Sequence, residues 1–146
     1  MRINKTFDYN PNLGITICEL QRGDNTFYGS TVCHPEDMDM ISEYTGGEIA
    51  DMRAELQMLQ HIKNNEIKPA LKTLYHLYNC IIQSSHCNPK SHELRLLKRQ
   101  IKKLEADLAE IKLAIKEQKQ FLNDYISQKD RIYQRIRAKK QEDKSN

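Results

Sequence analysis

Apolar residues recur three and four apart through the C-terminal part of the chain. They are Leu94, Leu97, Ile101, Leu104, Leu108, Ile111, Ile115 and Leu122, followed with slips by Ile126, Ile132 and Ile136. That spacing lines one side of a long α-helix. Residues 89–146 contain no Gly and a single Pro, Pro89, so nothing inside the stretch interrupts it. Such a helix cannot bury its seam alone and requires a second helix, a second chain or both. A second helix is read from about residue 46 to about residue 84, with Ile49, Met52, Leu56, Leu59, Ile67, Leu74, Leu77 and Ile81 as its seam and Pro69 as a kink or division. The turn Ser85-His86-Cys87-Asn88-Pro89 joins the two, with Asn88 as N-cap and Pro89 as first helical residue, and the long helix then runs to about residue 140. A connection this short predicts an antiparallel, coiled-coil-like helical hairpin.

Before residue 34 the composition turns β-rich. Leu13–Leu20 and Thr26–Cys33 are β-rich and flank the turn residues Gln21-Arg22-Gly23-Asp24-Asn25, which reads as a β-hairpin joined by a third strand from residues 2–9. His34–Gly47 reads as an acidic loop. Thr45 as N-cap with Glu48 three residues on forms a capping box, and Tyr44 with Ile49 forms a hydrophobic staple across it. The fold class expected is α+β: a β head with its loop over residues 1–47, and a helical hairpin over 48–146 forming one domain with it. At 1.5 Å per residue the helices span roughly 58 and 78 Å, so folding back from the turn sets Ser127 beside Glu48 and carries residues past 128 alongside the head.

Charge sharpens this picture. The net value of +3 hides a division: residues 1–60 hold four Lys/Arg against ten Asp/Glu, and the remainder holds 19 against 10. An acidic head and a basic shaft attract each other, within a chain or between chains. Nucleic-acid binding by the shaft is disfavoured, because Glu105, Asp107, Glu110, Glu117 and Asp124 are interleaved with its positive charges. No apolar run approaches a membrane span and the N-terminus lacks a leader's apolar stretch, so a cytosolic protein with reduced thiols is expected.

Candidate chemistry gathers where head meets shaft. Arg131 and Arg135 lie four apart on one helical face, Tyr125 and Tyr133 are near them in sequence, and Arg53 approaches from the first helix. Forked guanidinium donors suit phosphate and tyrosine rings suit a base, so one reading is a pocket for a small phosphorylated nucleotide, with Phe121, Tyr28 or Tyr44 as further stacking groups. The other is a solvated basic helix end that pairs with Asp37, Asp39 or Glu43. Gly46 and Gly47 at a helix start either expose N–H groups to an anion or simply permit close backbone passage. Asp37, Asp39 and Glu43 lack the central Gly of a calcium loop. Cys80, His86, Cys87 and His92 fit no standard zinc spacing. Neither a metal site nor a cofactor is expected, and no acid–base pair or nucleophile suggests an enzyme.

The blocks Phe27-Tyr28-Gly29-Ser30-Thr31-Val32-Cys33-His34-Pro35-Glu36-Asp37 and Ser42-Glu43-Tyr44-Thr45-Gly46-Gly47-Glu48-Ile49-Ala50-Asp51-Met52-Arg53-Ala54 resemble a module of small phage proteins, the Thoeris anti-defence sponges. The resemblance covers residues 27–54, and the helical pair agrees with it in architecture. It implies a phage-encoded protein in the cytoplasm of the infected bacterial host that sequesters a glycocyclic ADP-ribose signal without degrading it. It also implies a homo-oligomer, a dimer or an assembly of dimers, that binds ligand between protomers, with Arg53 as the motif residue suited to phosphate. The competing expectation is a phage interaction protein whose coiled coil grips and inhibits a host protein or nuclease complex.

Overall fold

The computed structural model describes residues 2–33, 43–84, 88 and 91–145. Asp37, Asp39, His86, Cys87 and Pro89, and with them the acidic loop and the interhelical turn, lie outside those residues. In chain order the elements are β1 (Ile3–Asn10), β2 (Ile15–Arg22), β3 (Asn25–Val32), α1 (Glu43–His61), a π-helical segment (Ile62–Ile67), α2 (Lys68–Ile82) and α3 (His92–Ser145). The fold is α+β, a three-stranded antiparallel sheet followed by helices. The chain divides into two compact units, residues 1–58 with 117–146, and residues 59–116.

In the first unit the strands pair in the order β1-β2-β3. Gly23 at φ 60° opens a two-residue turn between the paired Arg22 and Asn25, the position a II′ hairpin reserves for glycine. The β1–β2 link closes on Gly14 at φ 66°, while the Asn10 carboxamide oxygen accepts the N–H groups of Asn12 and Leu13. The strands therefore extend further into the turn than residue types alone suggested.

One face of the sheet carries Cys18, Leu20 and Phe27, which pack with Ala50 and Ala54 of α1 and with Met58. Gly29 makes that approach possible, since a Cβ there would strike the Ala50 carbonyl and the Ala54 amide. Lys5 on β1 adds ion pairs across to α1, 2.8 Å to Asp51 and 2.5 Å to Glu55. Burial lowers the Lys5 pKa but the two carboxylates outweigh it, so the net shift is upward. Ile49 and Met52 pack on Leu122 of α3, with Tyr125 and Ile126 beside them.

The second unit is held by Leu71, Leu97 and Ile101, against which Ile67, Leu74, Tyr78, Ile81, Leu104 and Leu108 pack. The Tyr75 hydroxyl donates to Glu105 over 2.6 Å, and the Lys98 ammonium lies 6.0 Å from the Tyr78 ring centre. Residues that follow Tyr75 thus meet residues that precede Glu105.

Two local expectations, the start of the first helix and Leu77 in its seam, are corrected, and the division at Pro69 is found. The first helix begins at Glu43, so Thr45 is a buried residue within it rather than the residue preceding it, and Tyr44 is 72% exposed instead of packed as a staple. The helix is divided at a π-helical segment before Pro69, where the Lys68 N–H bonds the Lys63 carbonyl. Proline's missing donor is absorbed by this wider turn. Beyond it the packed stripe runs through Leu71, Leu74, Tyr78 and Ile81, leaving Leu77 exposed.

Candidate functional site

Within the first unit a cleft of about 230 Å³ opens between the sheet, the start of α1 and the C-terminal part of α3. The sheet contributes Gly14, Thr16, Thr31, Val32 and Cys33; α1 contributes Thr45, Gly46, Ile49 and Arg53; α3 contributes Ile126, Lys129, Asp130 and Tyr133. Thr16 and Thr31 are directly paired across β2 and β3 on the face turned to α1. The Thr31 hydroxyl donates to the Gly46 carbonyl over 3.3 Å. A Cβ on Gly46 would come within 2.6 Å of the Thr16 hydroxyl oxygen, so the glycine is what lets α1 start against the sheet.

Charge on the wall comes from Arg53, Lys129 and Asp130. Arg53 donates through Nη1 to the Ser30 carbonyl over 2.6 Å, which anchors its guanidinium at the edge of β3. Lys129 lies with its ammonium 5.3 Å from the centre of the Tyr125 ring. The Tyr125 hydroxyl is shielded from solvent and makes no hydrogen bond of good geometry; Glu48 and Thr45 are the polar groups that face it. Burial, with the Glu48 carboxylate adding to it, pushes its pKa up to about 12. The same contact, followed by Tyr44, lowers the Glu48 pKa.

Of the residues singled out from the sequence, Arg53, Gly46 and Tyr133 line this cleft. Tyr125 stands beside it. Arg131 and Arg135 are exposed and outside the wall, since each lies two residues, roughly 200° of helix, from Tyr133. Phe121 is 60% exposed. Tyr28 neighbours Phe27 and Gly29 on β3, so alternation turns its ring to the sheet face away from α1. Gly47 and Tyr44 border a separate open groove with Phe7, Tyr9, Glu48 and Asp51. On α2, Cys80 Sγ lies 3.7 Å from His76 Nε2.

Sequence reasoning missed Lys129, Thr16 and Thr31. Lys129 is four residues from both Tyr125 and Tyr133, so the seam periodicity could have found it. The threonines needed the strand register.

The cleft wall carries hydroxyls, a guanidinium, an ammonium, a carboxylate and one phenol ring. Guanidinium and ammonium groups can donate to anionic oxygens and a phenol ring can stack on a flat ring. No protein-family model matches the chain, and no curated protein or solved structure matches it either.

Proposed function

We propose that this protein is a phage anti-defence sponge that binds and sequesters a cyclic nucleotide signal of the glycocyclic ADP-ribose type without degrading it, in the cytoplasm of the infected host. One observation carries the reading. The two sequence blocks resembling the sponge module are separated in the chain, yet Thr31, Cys33, Thr45, Gly46, Ile49 and Arg53 from them meet on a single cleft. Gly29, Ala50 and Ala54 of the same blocks form the close helix–sheet contact beside it.

In this reading Arg53 and Lys129 meet phosphate oxygens and Tyr133 stacks on a ring. A cavity of about 230 Å³ is smaller than the ~300–1,000 Å³ of pockets that enclose a drug-sized ligand. One chain therefore takes part of the signal, and a second protomer of a homo-oligomer covers the rest. The facing stripes Leu71–Ile81 and Leu97–Leu108 support an antiparallel, coiled-coil-like hairpin as the scaffold. Enclosure of this kind lowers the release rate, which is what sequestration requires.

A second reading, an interaction protein that inhibits a host protein or nuclease complex, is favoured by apolar side chains left exposed on α3: Leu96, Leu113 and Phe121. One experiment separates the two. The purified protein is incubated with glycocyclic ADP-ribose, washed and heated, and the released compound is assayed. Intact release supports the sponge, an altered compound indicates an enzyme, and no uptake leaves the interaction reading.

A further inference from the structure

The two edges of the sheet are finished differently. At β3 the edge is capped by α1: the Tyr28 N–H donates to Gln57 Oε1 over 2.8 Å, and the Ser30 carbonyl accepts from Arg53. Those contacts show that the even residues of β3 direct their backbone groups away from β2. Alternation through the register then fixes the rest of the sheet. Asn4, Thr6, Asp8 and Asn10 of β1 bond to β2, and Ile3, Lys5, Phe7 and Tyr9 present N–H and C=O outward. Among the described residues no group pairs with that outward row. The strand is eight residues long, without proline or bulge, and exposed along almost its whole length. An edge of this kind is a template for another strand.

We infer that β1 is the contact between two copies of this chain, the strands pairing antiparallel about a two-fold axis at Thr6 to form one continuous six-stranded sheet. An axis at Thr6 pairs residues 3–9 and brings both exposed apolar residues, Ile3 and Phe7, under the partner, whereas an axis at Phe7 pairs residues 4–10 and leaves Ile3 beyond the paired segment. Ile3 falls opposite the partner's Tyr9 and Lys5 opposite the partner's Phe7 on the face turned to α1. Asn4 falls opposite the partner's Asp8, and Thr6 opposite the partner's Thr6, on the other face. Aliphatic–aromatic and Thr–Thr pairs of this kind stabilise sheets, and no like charges meet. Sliding the axis to Lys5 or Asp8 would set like charges against each other. Phe7, 52% exposed, and Ile3, 45% exposed, are then covered by the partner's inner-face side chains. The α1 helices of both copies lie on the same face of the joined sheet, so neither obstructs the pairing. The contact does not depend on the ligand proposed above.

The test uses the full chain carrying Cys33→Ser, Cys80→Ser and Cys87→Ser, which leaves the buried Cys18. Thr6→Cys sits at the axis in a non-hydrogen-bonded pair, where Cα atoms are about 4.5 Å apart, inside the ~4.4–6.8 Å a disulfide accepts. Mild oxidation should convert it to a covalent dimer of twice 17.2 kDa. Asn4→Cys and Asp8→Cys should each stay uncrosslinked alone and crosslink when mixed. Phe7→Lys should keep the circular dichroism spectrum and raise the dimer dissociation constant at least about ten-fold, since it faces the partner's Lys5. A chain that remains monomeric throughout the micromolar range overturns the inference, as does a dimer whose Thr6→Cys form does not crosslink.

Discussion

Arg53 Nη1 reaches from α1 to the carbonyl oxygen of Ser30 on β3, 2.6 Å away, so this cleft arginine also closes a sheet edge. Arg53→Ala exposes a carbonyl that water can satisfy, at a cost of about 1 kcal/mol in stability. Loss of its charge from the ligand should weaken retention roughly ten- to hundred-fold. Thermal melting and equilibrium binding to glycocyclic ADP-ribose measure the two effects separately.

Lys129 and the exposed Arg131 and Arg135 should behave differently. Lys129→Ala removes an ammonium from the cleft wall and should lower affinity by about the same ten- to hundred-fold factor. Arg131→Ala and Arg135→Ala should change it less than about three-fold, as expected for screened surface charges. Titration of the three variants with the ligand decides whether the wall or the flanking helix face holds phosphate.

Gly29→Ala should destabilise the first unit by about 2–4 kcal/mol, because the clash is with the α1 backbone and no side chain can move to relieve it. Denaturant melts should show the loss. Gly47→Ala, whose Cβ would meet only Phe7 at 4.0 Å, should be nearly neutral by comparison.

The Tyr125–Glu48 contact makes stability depend on pH at both extremes. The Tyr125 pKa is raised from 10.0 to about 12, so its contribution is complete below pH 10 and is lost as pH climbs from there through 12. The Glu48 pKa is lowered, so its contribution is present above the ordinary carboxylate range and is lost as pH falls through the folded value. Tyr125→Phe should flatten the alkaline limb of a plot of melting temperature against pH. Tyrosinate absorbance should show one phenol fewer titrating late.

Two substitutions rank the seam of α3. Ile101 is buried in the core of residues 59–116 and Leu108 is only half-buried at its margin. Ile101→Asp should cost several kcal/mol and Leu108→Asp clearly less. Equal melting temperatures would show that the assigned face is wrong.

Periodicity located the elements well because each period is imposed by one buried face. Leu94, Leu97, Ile101, Ile111, Ile115 and Leu122 are all buried, as their spacing required. Helix length alone set Ser127 beside Glu48, and the residue found there is Tyr125, two positions away. The start of α1 was misplaced because Thr45 and Glu48 satisfy a capping pattern, while in the folded chain Glu48 engages Tyr125 and Tyr44 and Thr45 is buried. Leu77 was taken into the seam because a sequence does not announce that the helix widens before Pro69 and shifts the packed stripe to Tyr78.

Local spacing, and where glycine and proline sit, sufficed for the α+β class, the three strands and the seam of the long helix. Tertiary structure alone decided which charged residues share a cleft. Lys129 and Arg131 are chemically similar and two positions apart, and only the placement of the sheet against α3 selects the one that faces it. The same holds for the sheet edges: β1 and β3 are both eight residues long, and α1 engages the backbone of β3 through Gln57 and Arg53 but meets β1 through the Lys5 side chain.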